Sequence, residues 1–178
     1  MDLLLIEDDQ AYQLAMASHL RQLAAVREVW VADDGEQGLE LLASMPVDLV
    51  LLDLVLPGLG GLSTCRRITA TTTLPVLILT SQDDPLWVQQ IWDAGARGYL
   101  HKERALAQVA LALASLLAGA SWWDQKATAA LQRPGPLQVI ATTDQASTSR
   151  SRWVRPWSRS SAKAPCAAIC MCCCRNCR

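Results

Sequence analysis

Five short apolar runs, each followed by a stretch of helical length and pattern, constrain this chain more than any other feature. The runs occupy residues 3–6, 29–31, 49–52, 76–79 and, more weakly, 99–100. Each is rich in Leu, Val or Ile and bounded by polar, Gly or Pro residues, as strands buried on both faces should be. Helical segments follow at 10–24, 35–44, 62–70, 85–94 and 104–118. In the first, Leu14, Ala17, Leu20 and Ala24 recur at helical spacing; Gly35 opens the second and Pro46 closes it; Pro85 stands where a first-turn proline is tolerated. Parallel strands need crossovers of this length, so the pattern predicts a doubly wound α/β fold around a five-stranded parallel sheet.

The pattern stops near residue 132, and the charge changes sign there. Residues 1–132 carry 8 basic and 16 acidic side chains, a formal −8, whereas 133–178 carry 8 basic and 1 acidic, a formal +7. Arg133-Pro134-Gly135-Pro136 interrupts any helix, a Ser/Thr-rich run follows, and Arg150, Arg152, Arg155 and Arg159 interleave with Trp153, Pro156 and Trp157. Six of the seven cysteines, Cys166, Cys170, Cys172, Cys173, Cys174 and Cys177, crowd the last 13 residues. Such clustering is not a disulfide scaffold, and three adjacent cysteines lack the paired spacing of a zinc knuckle. The expectation is a reduced body at 1–120, a linker helix within 121–132 and a basic, cysteine-rich tail at 133–178 without fixed structure. The apolar stretch 105–120 is interrupted by Gln108, Ser115 and Gly119 and falls short of the roughly 20 residues a membrane span requires. The opening Met1-Asp2, four apolar residues and Glu7-Asp8-Asp9 do not read as a signal peptide, so the expected location is the cytoplasm.

Ligands of doubly wound sheets gather beyond the carboxyl ends of the strands. Here the first run leads into Glu7-Asp8-Asp9, the third ends at Asp53, the fourth at Thr80-Ser81, and Lys102 follows the fifth. Asp53 interrupts an apolar segment, where a carboxylate needs a compensating partner. Carboxylates brought together repel, and bind a cation or a proton to remain so. A hard divalent cation that keeps waters and accepts phosphate oxygens suits this set, which points to Mg²⁺. Lysine and a hydroxyl would meet an incoming anion. Asp9 reads as an N-cap, His101 as an exposed-loop residue, His19 as surface, and Cys65 as a packed thiol.

Four pieces in order resemble the receiver domain of bacterial two-component response regulators: Leu5-Ile6-Glu7-Asp8-Asp9, Leu52-Asp53-Leu54-Val55-Leu56-Pro57-Gly58, Val76-Leu77-Ile78-Leu79-Thr80-Ser81, and the segment from Ala94-Gly95-Ala96 through Gly98-Tyr99-Leu100-His101-Lys102. The resemblance covers about residues 2–120. It implies a flavodoxin-like sheet of order 2-1-3-4-5 and a switch that takes a phosphoryl group from a sensor histidine kinase in a phosphorelay. On that resemblance Asp53 is the phosphoacceptor; Glu7 and Asp8 hold Mg²⁺, together with Asp53 and the Val55 carbonyl; Thr80 is the switch hydroxyl, Tyr99 the aromatic that moves with it, and Lys102 the phosphate-sensing lysine. Such a protein is a signalling switch rather than an enzyme, and could dimerise when phosphorylated.

One departure stands out: Gly60-Gly61 replaces an acidic-Gly pair, which should loosen the loop after Asp53. The segment 118–131 resembles the linker that precedes a helix-turn-helix in NarL-type transcription regulators. Only 47 residues follow Leu131, without an amphipathic helical run, so no DNA-reading helix is visible. Two readings of the output stay open: a receiver acting through protein contacts, and a transcription regulator whose DNA-binding part is truncated or frame-disrupted.

Overall fold

A computed structural model describes residues 1–82 and 84–132. Everything expected of the tail at 133–178, its basic arm and its cysteines included, lies outside the described residues. The elements are β1 (Asp2–Ile6), α1 (Gln10–Arg21), β2 (Glu28–Ala32), α2 (Gly35–Ser44), β3 (Leu49–Asp53), α3 (Gly61–Thr71), β4 (Val76–Thr80), α4 (Pro85–Asp93), β5 (Gly98–His101), α5 (Lys102–Leu117) and α6 (Gln125–Gln132). The five strands form one parallel sheet in the order β2-β1-β3-β4-β5.

Strand alternation sorts the core into two layers. Leu3, Leu5, Leu49, Leu51, Leu77, Leu79 and Leu100 face α1 and α5, packing on Met16, Leu20, Val109 and Leu113. Their neighbours Leu4, Ile6, Val50, Leu52, Val76, Ile78 and Tyr99 face the other way, onto Cys65 and Ile68 of α3 and Val88 and Ile91 of α4. Because β1, β3 and β4 are covered on both sides, all five residues of each are buried, which is why they read as unbroken apolar runs. Among the described residues no helix is long and apolar enough to cross a membrane.

Acidic caps set where the helices start. Asp9 accepts from the backbone N–H of Ala11 and Tyr12, Asp34 from Gln37, and Asp84 from Leu86 with Pro85 in the first turn. Some boundaries differ from the sequence pattern. The first helix stops at Arg21 rather than running to residue 24, because Gln22 and Leu23 donate to His19 and Leu20 and tighten into turns. The last body helix begins at Lys102, not 104, since the His101 ring accepts from the Glu103 N–H and caps it. His101 is therefore not an exposed-loop residue: it is 6% exposed, paired with Thr80 as the last residue of β5.

Beyond α5 the chain returns to the sheet. The Tyr99 N–H donates to the Trp122 carbonyl at 2.8 Å and the Trp122 N–H to Arg97 at 3.1 Å, which protects the outer edge of β5. Arg104 ion-pairs with Asp124 at 2.6 Å, and the Trp92 and Trp123 rings stand 5.2 Å apart at a tilt. Thus α6 is seated against α4, with Ala127 fully buried and a cavity of about 330 Å³ between Pro85, Val88, Tyr99 and the helix.

Candidate functional site: an acidic cluster at the carboxyl edge of the sheet

In-register pairing of Ile6 with Leu52 and of Asp53 with Leu79 brings the ends of β1, β3 and β4 to one edge, and β5 delivers Lys102 beside them. Glu7 is fully buried, Asp53 is 4% exposed, and Asp8 faces solvent. Each of the three offers a carboxylate oxygen within 4.8 Å of the others. Lys102 closes the cluster from inside. Its Nζ lies 2.7 Å from Glu7 Oε2, 2.9 Å from Oε1 and 3.0 Å from Asp53 Oδ2.

This arrangement is strongly interdependent. Burial pushes the Glu7 carboxyl above its ordinary value, the Asp53 charge adds to that, and the hydrogen bond from Lys102 opposes it. Burial works against the Lys102 ammonium, but its bonds to Glu7 and Asp53 outweigh that cost, so its pKa lies above the usual lysine value. Three carboxylates against one lysine leave a formal charge of −2 in a cluster that is buried at Glu7 and Asp53 and open to solvent at Asp8. Glu7 Oε2 is fully enclosed and, although close to the ammonium, has no well-directed hydrogen bond. An enclosed oxygen short of donors, beside two further carboxylates with one open to water, is a donor set that suits a hard cation.

The remaining candidates lie nearby. Thr80 is fully buried at the end of β4, and its Oγ1 accepts from the Gln82 N–H at 3.0 Å. The Tyr99 hydroxyl donates to the Gln82 carbonyl at 2.8 Å. One residue, Gln82, therefore joins the hydroxyl to the aromatic. Tyr99 itself is 2% exposed, its ring lining the cavity beneath α6. Val55 lies two residues past Asp53 with its side chain 58% exposed. Asp9 is turned away, occupied in capping α1. Cys65 is fully buried, with its thiol pushed up to about 12 by burial, and takes no part in the site.

Two α1 residues belong to the site and were not singled out from the sequence. The Tyr12 ring lies beneath the Lys102 ammonium, 4.6 Å from its centroid, a cation–π contact. The Gln13 amide donates to the Glu7 carbonyl at 2.8 Å and to Asp33 at 2.9 Å, stitching the ends of β1 and β2 together. Their only sequence signal is position, one turn beyond the acidic triplet on a helix that starts at Gln10.

The family model described as response regulator receiver domain matches residues 3–114. The chain belongs to this family. It is similar to transcriptional regulatory protein AfsQ1 of Streptomyces coelicolor, with 41% identity over 100 residues covering 56% of this chain and 44% of that protein. Response regulator UvrY of Escherichia coli shares 29% over 120 residues, covering 67% of this chain and 55% of its own. The chain thus spans about half the length of these curated relatives. Among solved structures, the Salmonella typhimurium RcsB response regulator superposes with a TM-score of 0.69 at 20% identity, covering 75% of this chain and 68% of that one. That likeness carries the fold, the doubly wound receiver sheet of order 2-1-3-4-5 expected from the sequence.

Proposed function

We propose that this receiver domain is a phosphoryl-accepting switch in a two-component phosphorelay, with Asp53 as the acceptor and a sensor histidine kinase in the cytoplasm as the donor. The observation that carries the reading is the Asp53 carboxylate at the end of β3, nearly buried yet ionically held by Lys102 and grouped with Glu7 and Asp8. An Asp53 oxygen attacks the phosphorus of phosphohistidine. An O–P bond forms, the N–P bond breaks with its electron pair on the imidazole, and the product is an acyl phosphate.

Glu7, Asp8 and Asp53, with the Val55 carbonyl, would hold Mg²⁺, which when bound neutralises charge on the transferring phosphoryl oxygens. Lys102 already lies against the acceptor and can follow its charge onto the phosphoryl group. Thr80 offers a hydroxyl from the neighbouring strand. When Thr80 turns toward that group it releases the Gln82 N–H, and Gln82 is also the hydrogen-bond partner of Tyr99. The event at Asp53 thereby reaches the face where Tyr99 lies beneath α6. The chemistry is group acceptance by a signalling protein, and residues 1–120 form the receiver with 121–132 as the connecting helix.

The output acts through protein contacts, a second phosphorylated copy among them. A second reading, a transcription regulator whose DNA-binding part is truncated or frame-disrupted, is supported by AfsQ1, a longer relative named as a transcriptional regulatory protein. Incubation of the full chain with a small-molecule phosphodonor and Mg²⁺ should add one phosphoryl group, measured by intact mass. Asp53→Asn should abolish it, and undiminished labelling of that variant would refute the assignment. Sequence-specific DNA binding by the full chain would favour an intact DNA-binding output.

A further inference from the structure

The loop from Asp53 to α3 is anchored near its ends, by Leu54 and Leu56 in the core and by the Gly60 carbonyl, which accepts from the Thr64 N–H and hydroxyl, but its tip at 57–59 has little of its own to hold it. Gly60 stands at the N-cap of α3 with φ +77 and no side-chain cap bond, and Gly58 is also left-handed at φ +64. Within the loop the Gly60 N–H reaches only Pro57, at 3.3 Å. Yet the loop has to place the backbone around Val55 beside the carboxylates.

The restraint comes from the next helix over. Glu36, in the first turn of α2, accepts the Leu59 N–H on Oε1 at 3.0 Å, across 23 residues of sequence. A Cβ on Gly58 would lie 3.0 and 3.1 Å from the two Glu36 oxygens, so the carboxylate rests directly on the loop backbone. Helix α2 lies close against the elements on either side of it. A Cβ on Gly35 would meet Thr64 Oγ1 of α3 at 2.1 Å, and one on Gly38 would meet Ile6 Cδ1 of β1 at 2.3 Å, so the helix is seated on both neighbours at near-backbone distance. A carboxylate in the first turn is also favoured by the helix dipole.

We propose that Glu36 is a positioning residue for the acceptor site: it acts as a tether from α2 that holds the 54–60 loop, and with it the Val55 carbonyl, in register with Glu7, Asp8 and Asp53. The tether replaces an anchor that Gly60-Gly61 cannot provide. This rests on the reading of the cluster as a Mg²⁺-dependent acceptor. Glu36 touches no reacting atom.

The test is Mg²⁺ titration of the full chain by calorimetry, in the absence of any phosphodonor. Losing one solvent-exposed hydrogen bond should weaken Mg²⁺ binding by about five- to tenfold in Glu36→Ala. Glu36→Gln keeps an acceptor for Leu59 and should bind within about twofold of the parent, by the same reasoning. Glu40→Ala, on the same helix but away from the loop, controls for charge and helix propensity. Parent-like affinity in Glu36→Ala, alongside loss in Asp8→Ala, would overturn the tether while leaving the acceptor reading intact. Equal loss in Glu36→Gln and Glu36→Ala would show that charge, not the tether, is at work. If the parent itself binds no Mg²⁺, both readings fall together.

Discussion

Replacing Lys102 by Met tests the electrostatic design of the site most directly. The ammonium lies 2.7–2.9 Å from Glu7 and 3.0 Å from Asp53, and its side chain is only 16% exposed. Methionine keeps most of the volume but leaves two nearly buried carboxylates facing each other. Removing one partner of a buried ion pair costs about 3–5 kcal/mol. The exposed edge at Asp8 admits water, which moves the expectation to the low end, about 3 kcal/mol in EDTA. Taking a lysine from the first residue of α5 relieves an unfavourable interaction with the helix dipole, but only by about 0.3–1 kcal/mol, so the loss prevails. In an Asp53→Asn background the same substitution should cost about 1–2 kcal/mol less, because one of the two stranded charges is already gone.

Mg²⁺ should then reverse much of the damage. A ligand at 100 times its dissociation constant stabilises by about 2.7 kcal/mol. The variant site is one unit more negative, so its gain should exceed that of the parent at equal Mg²⁺, by about 1.4 kcal/mol for each tenfold gain in affinity. The assay is urea unfolding of parent, both single variants and the double variant, each with EDTA and with saturating Mg²⁺. A Lys102→Met protein within about 0.5 kcal/mol of the parent in EDTA, with strictly additive effects in the double variant, would refute the reasoning.

Other outcomes follow from single contacts. Asp9→Ala should lower stability by about 1 kcal/mol through loss of the α1 cap and leave Mg²⁺ affinity unchanged, whereas Asp8→Ala should do the reverse, as measured by urea unfolding and calorimetry. A Cβ on Gly61 would meet the Asp53 carbonyl oxygen at 2.1 Å, so Gly61→Ala must move backbone next to Asp53 and should cost about 1–3 kcal/mol together with slower phosphorylation. The Arg27 guanidinium hydrogen-bonds Asp2 and holds its carboxyl below the ordinary 3.8; that pair stabilises the fold above this value, and the contribution is lost as pH falls through the lowered pKa. Arg27→Ala should therefore be less stable than the parent near neutrality and converge with it in acid, as read from denaturation midpoints across pH. Thr80→Ala should still accept a phosphoryl group at Asp53 but should lose the accompanying change in partner contact or dimerisation, followed by light scattering.

Periodicity made the sheet legible because every strand of the body is covered on one or both faces: burial on two sides leaves unbroken apolar runs, and the order of strands and helices follows. Asp53 was conspicuous for the same reason, as a charge where such a run should continue. Helix ends were harder, since they depend on which side chain turns back to satisfy a free backbone group. His101 illustrates this, reading as a loop residue until β5 extends to it and its ring caps α5.

Residues that hold the site from outside were less visible still. Glu36 meets Leu59 across 23 positions, and Lys102 meets Tyr12 across the gap from α5 to α1. No spacing rule joins such pairs, because they meet only once the crossovers have laid the helices on the sheet. Glu36 makes the point physically. In sequence it is an ordinary first-turn carboxylate, and only the glycines at 35 and 38, by letting α2 sit at backbone distance from Thr64 and Ile6, bring it within a hydrogen bond of the loop. The small residues fix the distance, and the distance turns a solvated charge into a tether; a bulkier residue at position 35 would push α2 outward and remove the contact without touching Glu36 at all.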